Sequence, residues 1–141
     1  MTRCIFCDIV AGERPASIVF RDDRCCAFMD IRQGELPGHV LVVPVVHAAS
    51  LAELDEETGA QMFRIAQRIA GALRRSTPQC QGINLYLADG PVAGQVVPHV
   101  HLHLFPRRAD DGFGLRVGRG YFKRPTKAQL DDIAADIHAA L

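Results

Sequence analysis

The 141 residues suffice for one compact domain and fall short of two ordinary ones. Sixteen Lys and Arg balance sixteen Asp and Glu, which argues against holding long nucleic acid by bulk charge but leaves room for a small anionic ligand. No run approaches a membrane span, the apolar stretch near the start is broken by Cys7 and Asp8, and the five cysteines are an odd number, so the expected home is a reducing cytoplasm.

The first feature along the chain is Cys4-x-x-Cys7, which has metal-ligand spacing and is otherwise a pair of reduced surface thiols. Short β-branched or alternating segments predict strands over residues 17–21, 25–30, 39–43, 83–87 and 97–105. Asp22-Asp23-Arg24 suits a hairpin between the first two. Met62, Ile65, Ala66, Ile69 and Leu73 recur at helical spacing, with Asp55, Glu56 and Glu57 ahead of them and Arg74 and Arg75 behind, as the helix dipole favours. Pro78 closes that helix.

Residues 109–125 hold four glycines and no clear period, the kind of long irregular stretch that is usually functional or mobile. Around it cluster Arg107, Arg108, Arg116, Arg119, Lys123 and Arg124. A second helical stripe follows at Leu130, Ile133, Ala134, Ile137 and Leu141, with Thr126 and Gln129 placed for a capping box. Strands are mostly sequence neighbours, so the expected class is α+β, a single domain over 1–141 with an antiparallel five-stranded sheet and two main helices.

The segment Pro98-His99-Val100-His101-Leu102-His103-Leu104-Phe105-Pro106 is the most informative. In a strand, His99, His101 and His103 share one face, roughly 6–7 Å apart, and Val100, Leu102 and Leu104 share the other. Neutral imidazole is a nucleophile at physiological pH, and its conjugate acid donates protons or binds phosphate oxygen. The plainer readings are a polar strand face that happens to be His-rich, or a metal site. Upstream, Asp89-Gly90-Pro91-Val92-Ala93-Gly94-Gln95 is a turn whose glycines let backbone N–H groups approach a phosphate.

The run Ala93-Gly94-Gln95-Val96-Val97-Pro98-His99-Val100-His101-Leu102-His103-Leu104-Phe105-Pro106-Arg107 resembles the signature of the histidine triad family. The resemblance extends to Gly38-His39-Val40-Leu41-Val42-Val43-Pro44, to Cys4-Ile5-Phe6-Cys7-Asp8-Ile9 and to Asp111-Gly112-Phe113-Gly114, and so covers essentially the whole chain. It implies that His101 attacks the α-phosphorus of a nucleotide and forms a nucleotidyl-histidine intermediate. By the same resemblance His103 contacts the phosphate and helps the leaving group, His39 supports the triad, and Gly94 and Gln95 lie near the scissile phosphate. A base pocket from Ile5, Phe6, Ile9, Phe28 and Ile31, with Asp30 as ribose acceptor, is also implied. Ile9 and Ile31 read equally well as core, and Asp30 as a surface acid.

The sequence departs from the family pattern at Ala88, where Asn is frequent, at Val45, where Lys is common, and at Val96, where a polar residue is usual. Val96 thereby loses a hydrogen bond to phosphate or leaving group, and Asp89 is the one nearby substitute for the polar group missing at Ala88. Bacterial members with the N-terminal Cys pair bind zinc, and the resemblance matches its ligands to Cys4, Cys7, His47 and His99, a closed structural set. A homodimer is implied likewise. Purine nucleoside phosphoramidates and dinucleoside polyphosphates both remain open as substrates. A non-catalytic nucleotide-binding module with a structural zinc is the rival from another class, and a metallohydrolase with zinc in the triad is a third reading.

Overall fold

The computed structural model describes residues 4–141, with one compact unit running to Asp111 and a second covering Gly112–Leu141. The elements of the first unit are α1 (Ile5–Val10), β1 (Ile18–Arg21), β2 (Cys25–Met29), β3 (Val40–Pro44), α2 (Glu56–Ser76), β4 (Gly82–Leu87) and β5 (Leu102–Arg107). The five strands form one antiparallel sheet in the order β1-β2-β3-β5-β4. The expected α+β class and antiparallel five-stranded sheet are therefore present.

Local chemistry explains the joints. Asp22 turns the β1–β2 hairpin by accepting from the N–H groups of Arg24 and Cys25 at 2.9 and 2.7 Å. Asp55 caps α2 through the N–H of Thr58 at 2.9 Å. The stripe Met62, Ile65, Ala66, Ile69 and Leu73 is buried throughout, as its spacing requires.

Strand alternation separates two cores. Cys25, Ala27, Val40, Val42, Val100 and Leu104 pack with α2. Cys26, Phe28, Leu41 and Val43 pack with Phe6 and Val10 of α1. Because β3 has a core on each face, all five of its residues are buried, which is why it reads as an unbroken apolar run.

Two elements differ from the sequence expectation. Helix α1 carries no helical period long enough to announce itself, and its Cys4 N-cap makes no side-chain capping bond. The last strand begins at Leu102 rather than at 97, so His99 and His101 lie in the approach to β5 and only His103 is inside the ladder. Pro98 has no N–H to give, and the N–H of His99 and of Val100 bond instead to Val97 and Ala48 carbonyls, each at 2.8 Å.

The second unit contains α3 (Lys127–Ala139), started by Thr126 and Gln129 in the expected capping box. None of its residues is buried: Leu130, Ile133 and Ile137 are 49%, 53% and 60% exposed. No helix among the described residues is long and apolar enough to cross a membrane.

Candidate active site

The three triad imidazoles do not form one uniform row. His101 is buried, and its Nδ1 lies 2.7 Å from the carbonyl oxygen of His99. A carbonyl only accepts, so Nδ1 carries the proton and the Nε2 lone pair is directed away. No buried side-chain nitrogen or oxygen among the described residues lacks a partner, so His101 Nε2, which has no protein partner, reaches solvent. Phe6 of α1 packs edge-on against the His101 ring with centroids 5.2 Å apart, and the His103 ring lies 4.8 Å from it.

His103 is anchored differently. Its Nδ1 is 2.9 Å from His39 Nε2, and His39 Nδ1 is 2.8 Å from the Arg32 carbonyl oxygen. Working from the carbonyl inward, His39 is protonated at Nδ1 and accepts at Nε2 from His103 Nδ1–H, so His103 Nε2 keeps its lone pair. Phe105 stacks on His39 at 4.0 Å. Burial, followed by the neighbouring His101 and His39, holds His103 down to about 4, so it is neutral at physiological pH. Asp30 lies beside this pair, its Oδ2 3.8 Å from His39 Nδ1 and its Oδ1 accepting from the Arg32 N–H at 2.6 Å. Asp30, His39 and His103 are close enough to be considered as a metal group, but both His39 nitrogens are already committed, to a carbonyl and to an imidazole.

His99 turns to a separate cluster. Its Nε2 is 3.0 Å from the Pro44 carbonyl oxygen, which places the proton there and leaves Nδ1 as a lone pair. That Nδ1 is 3.4 Å from Cys4 Sγ, 3.6 Å from Cys7 Sγ and 3.3 Å from His47 Nδ1, and Cys7 Sγ is 3.3 Å from His47 Nδ1. All four ligand atoms lie within 4.8 Å of one another. A tetrahedron with zinc bonds of about 2.3 Å to sulfur and about 2.0 Å to nitrogen has edges near these lengths, so the donor set fits a closed metal centre. Burial, then the adjacent Cys4 thiol, pushes the Cys7 thiol up to about 11, and metal coordination is the chemistry that displaces such a proton. His99 is lowered by its own burial, which favours the neutral, ligating form.

The remaining expected contacts divide by exposure. Phe6 and Phe28 are buried and touch edge to face at 5.6 Å, and Phe6 in turn meets the His101 ring. Ile9 packs against that core, whereas Ile5 and Ile31 are 40% and 98% exposed. A cavity of about 420 Å³ brings Ile5 and Val96 together with Cys4, Cys7, His47, Val97 and Pro98. Val96 is exposed and Ala88 is buried. Asp89 accepts from the Leu51 N–H at 3.0 Å. Gln95 accepts from the Gly90 N–H at 2.7 Å and donates to the Ala49 carbonyl at 2.8 Å, so it latches its own turn. Gly94 adopts φ +95°, a conformation glycine tolerates best.

Sequence reasoning missed Tyr86, which pairs with His103 across β4 and β5 and donates its hydroxyl to the Ala93 carbonyl at 3.0 Å. The β4–β5 register was the only signal that could have found it. Gln33 was missed as well, and no motif marks it.

Residues 11–110 match the HIT domain family model. A HIT family protein from Bacillus anthracis has a crystal structure with a TM-score of 0.87 at 35% identity, covering 99% of this chain and 98% of that one. A Zn-bound histidine triad family protein from Mycobacterium smegmatis gives 0.74 at 38% identity, covering 92% and 96%. Adenosine 5'-monophosphoramidase of Saccharomyces cerevisiae is 37% identical over 115 residues, 82% of this chain and 68% of the relative.

Proposed function

The chain belongs to the HIT domain family, and from that premise we propose that it is a nucleotide hydrolase or transferase acting on purine nucleoside 5'-phosphoramidates. The observation that carries this reading is the 2.7 Å bond from His101 Nδ1–H to the His99 carbonyl, which fixes the proton on Nδ1 and leaves Nε2 as the nitrogen that can attack. His101 Nε2 forms a bond to the α-phosphorus as the phosphorus–nitrogen bond breaks and the amine leaves with a proton. Water then attacks the nucleotidyl-histidine, giving the nucleoside monophosphate and restoring His101. His103 Nε2, neutral at rest, relays protons in both steps, passing one from solvent to the departing amine and taking one from the attacking water. Asp30 takes the ribose hydroxyls, and Ile5, Ile31 and the rings of Phe6 and Phe28 meet the base. Gly94, Gln95 and Val96 border the phosphate and leaving group, and Asp89 holds the start of that border.

Phosphoramidates are favoured over dinucleoside polyphosphates because the two cations that follow the triad segment are already engaged by carboxylates. Arg107 is paired with Asp111 and Arg108 with Glu35, and Val96 brings no hydroxyl. The phosphoramidase activity of the yeast relative agrees with this choice.

Zinc at Cys4, Cys7, His47 and His99 would be structural, tying α1 to the approach of the catalytic segment. A homodimer in the cytoplasm completes the reading, with sheet-edge strand β4, whose Leu85 and Tyr86 are partly exposed, offering an open edge. Light scattering tests the dimer.

The decisive experiment incubates one preparation with an adenosine 5'-phosphoramidate and with diadenosine polyphosphates, then traps the adenylylated protein by denaturing it at alkaline pH, where a phosphorus–nitrogen bond survives. The expected result is preferential phosphoramidate turnover and an adduct on His101. His101→Ala should lower turnover by at least about a thousandfold. Normal turnover in that variant removes His101 as nucleophile, and nucleotide affinity without any turnover by the wild type favours a binding module.

A further inference from the structure

One side chain outside every assigned role holds the loop that builds the His39–His103 pair. Between β2 and β3 the chain runs from Asp30 to His39, and the two ends meet where the Asp30 N–H donates to the His39 carbonyl at 3.0 Å. Gln33 lies inside this loop and bonds to both ends. Its Oε1 accepts from the Gly38 N–H at 2.8 Å and from the His39 N–H at 2.9 Å. Its Nε2 donates to the Asp30 carbonyl at 2.6 Å and to the His39 carbonyl at 3.1 Å. One amide therefore makes four hydrogen bonds, two as acceptor and two as donor, a set that no hydrocarbon side chain can supply.

What this clamp fixes is chemical as well as structural. The neighbouring Arg32 presents its carbonyl to His39 Nδ1 at 2.8 Å, and its N–H binds Asp30 Oδ1 at 2.6 Å. The Arg32 peptide thus sets the His39 tautomer and orients the Asp30 carboxylate together. Its own placement depends on the loop closing around it. The far end is fixed by packing, since Leu36 is buried and a Cβ on Gly38 would meet Leu73 at 2.9 Å and Pro106 at 3.0 Å. The near end, Ile31 to Gly34, is exposed and has no such packing. Gln33 is what closes it.

We infer that Gln33 is a positioning residue that, by clamping the Asp30–His39 loop, locks His39 in the Nδ1–H tautomer and so leaves His103 Nε2 open for proton transfer. The inference rests on the reading of His101 and His103 given above. Without the clamp the Arg32 carbonyl moves, His39 samples both tautomers, and in one of them it can no longer accept from His103 Nδ1–H. The bond then reverses, His39 Nε2–H donating to His103 Nδ1, and the proton of His103 sits on the Nε2 that must stay open.

The test uses the full-length protein, 15N-labelled, as wild type, Gln33→Ala and Gln33→Met. Methionine keeps the length and volume and removes all four bonds. Long-range 1H–15N correlation reads the ring nitrogens of His39, and steady-state kinetics on an adenosine 5'-phosphoramidate separates kcat from KM. The wild type should show a single Nδ1–H tautomer. Both variants should show tautomer averaging and a kcat lower by about tenfold with KM within about twofold. An unchanged His39 signature in either folded variant overturns the inference, as does a kcat loss with no change in tautomer. If the wild type turns over no phosphoramidate, the functional reading fails alone, and the His39 spectra still decide the role of Gln33.

Discussion

His99 and His103 lie four positions apart, and burial holds both below ordinary imidazole basicity, yet they are prepared for different work. Each has a ring nitrogen whose state is fixed from behind. His99 Nε2–H meets the Pro44 carbonyl directly, and His103 Nδ1–H meets His39, itself anchored on the Arg32 carbonyl. The difference lies at the other nitrogen. His99 Nδ1 faces two thiols and a second imidazole in a set that fits a metal, whereas His103 Nε2 has no hydrogen-bond partner among the described residues. One end of the segment is built to be saturated and the other to be left open, and His101 stands between them. Anchoring one nitrogen is common to both; the neighbours of the remaining nitrogen decide whether the imidazole holds structure or moves protons.

Removing the metal should expose this contrast most strongly. Stripping zinc-loaded protein with a tight chelator under reducing conditions should lower the melting temperature by about 10 °C or more, since structural zinc contributes several kcal/mol. The folded fraction should keep kcat/KM within about threefold at 25 °C. Calorimetry beside kinetics checks both halves. A collapse of kcat with an unmoved melting temperature would mean that the His99 end is part of the chemistry.

At the opposite end, His103→Asn should lower kcat by about a hundredfold, the range expected for losing one acid–base group. Its melting temperature should stay within a few degrees and its metal content should not change. An equal loss of metal would show that the two ends are not separable.

Acid should sharpen the comparison by a smaller margin. His103 titrates near 4 in the folded protein and near 6.5 when unfolded, so the unfolded chain binds the extra proton between those values. Stability carried by neutral His103 is complete above about pH 6.5 and is lost as pH falls toward about 4, by at most about 1.4 kcal/mol per unit. Urea unfolding at several pH values should show His103→Asn with a shallower acid loss than wild type. Identical slopes would mean that His103 is not held neutral by its burial.

Much of this was legible in the residue order. The stripe from Met62 to Leu73, the Asp22 turn and the α3 capping box all rest on short-range periodicity or local hydrogen bonding, which a sequence displays directly. The cysteine pair and the triad were visible because their spacing is itself chemistry. The different surroundings of His99 and His103 were not legible from strand alternation. Alternation put three imidazoles on one face of a strand, but the strand starts only at Leu102, and Pro98 and the Ala48 contact set the path of His99. Gln33 and Tyr86 were hidden for a related reason. Their importance comes from backbone groups of residues brought close by the loop and by the β4–β5 register, and neither residue type announces such partners.

Tyr86 gives the smallest effect and the finest division between the two ends. Its ring stands 5.8 Å from that of His103, and its hydroxyl reaches the Ala93 carbonyl in the turn leading to Gly94 and Gln95. It therefore links the open end of the segment to the loop proposed to border the phosphate. Tyr86→Phe keeps the ring beside His103 and deletes one partly exposed hydrogen bond, a loss of about 0.5–1 kcal/mol. The turn should loosen while the imidazoles keep their places, so KM for a phosphoramidate should rise about two- to threefold with kcat nearly constant. A fall in kcat instead would mean that the hydroxyl steadies the His103 ring itself, and the open end would then extend across β4.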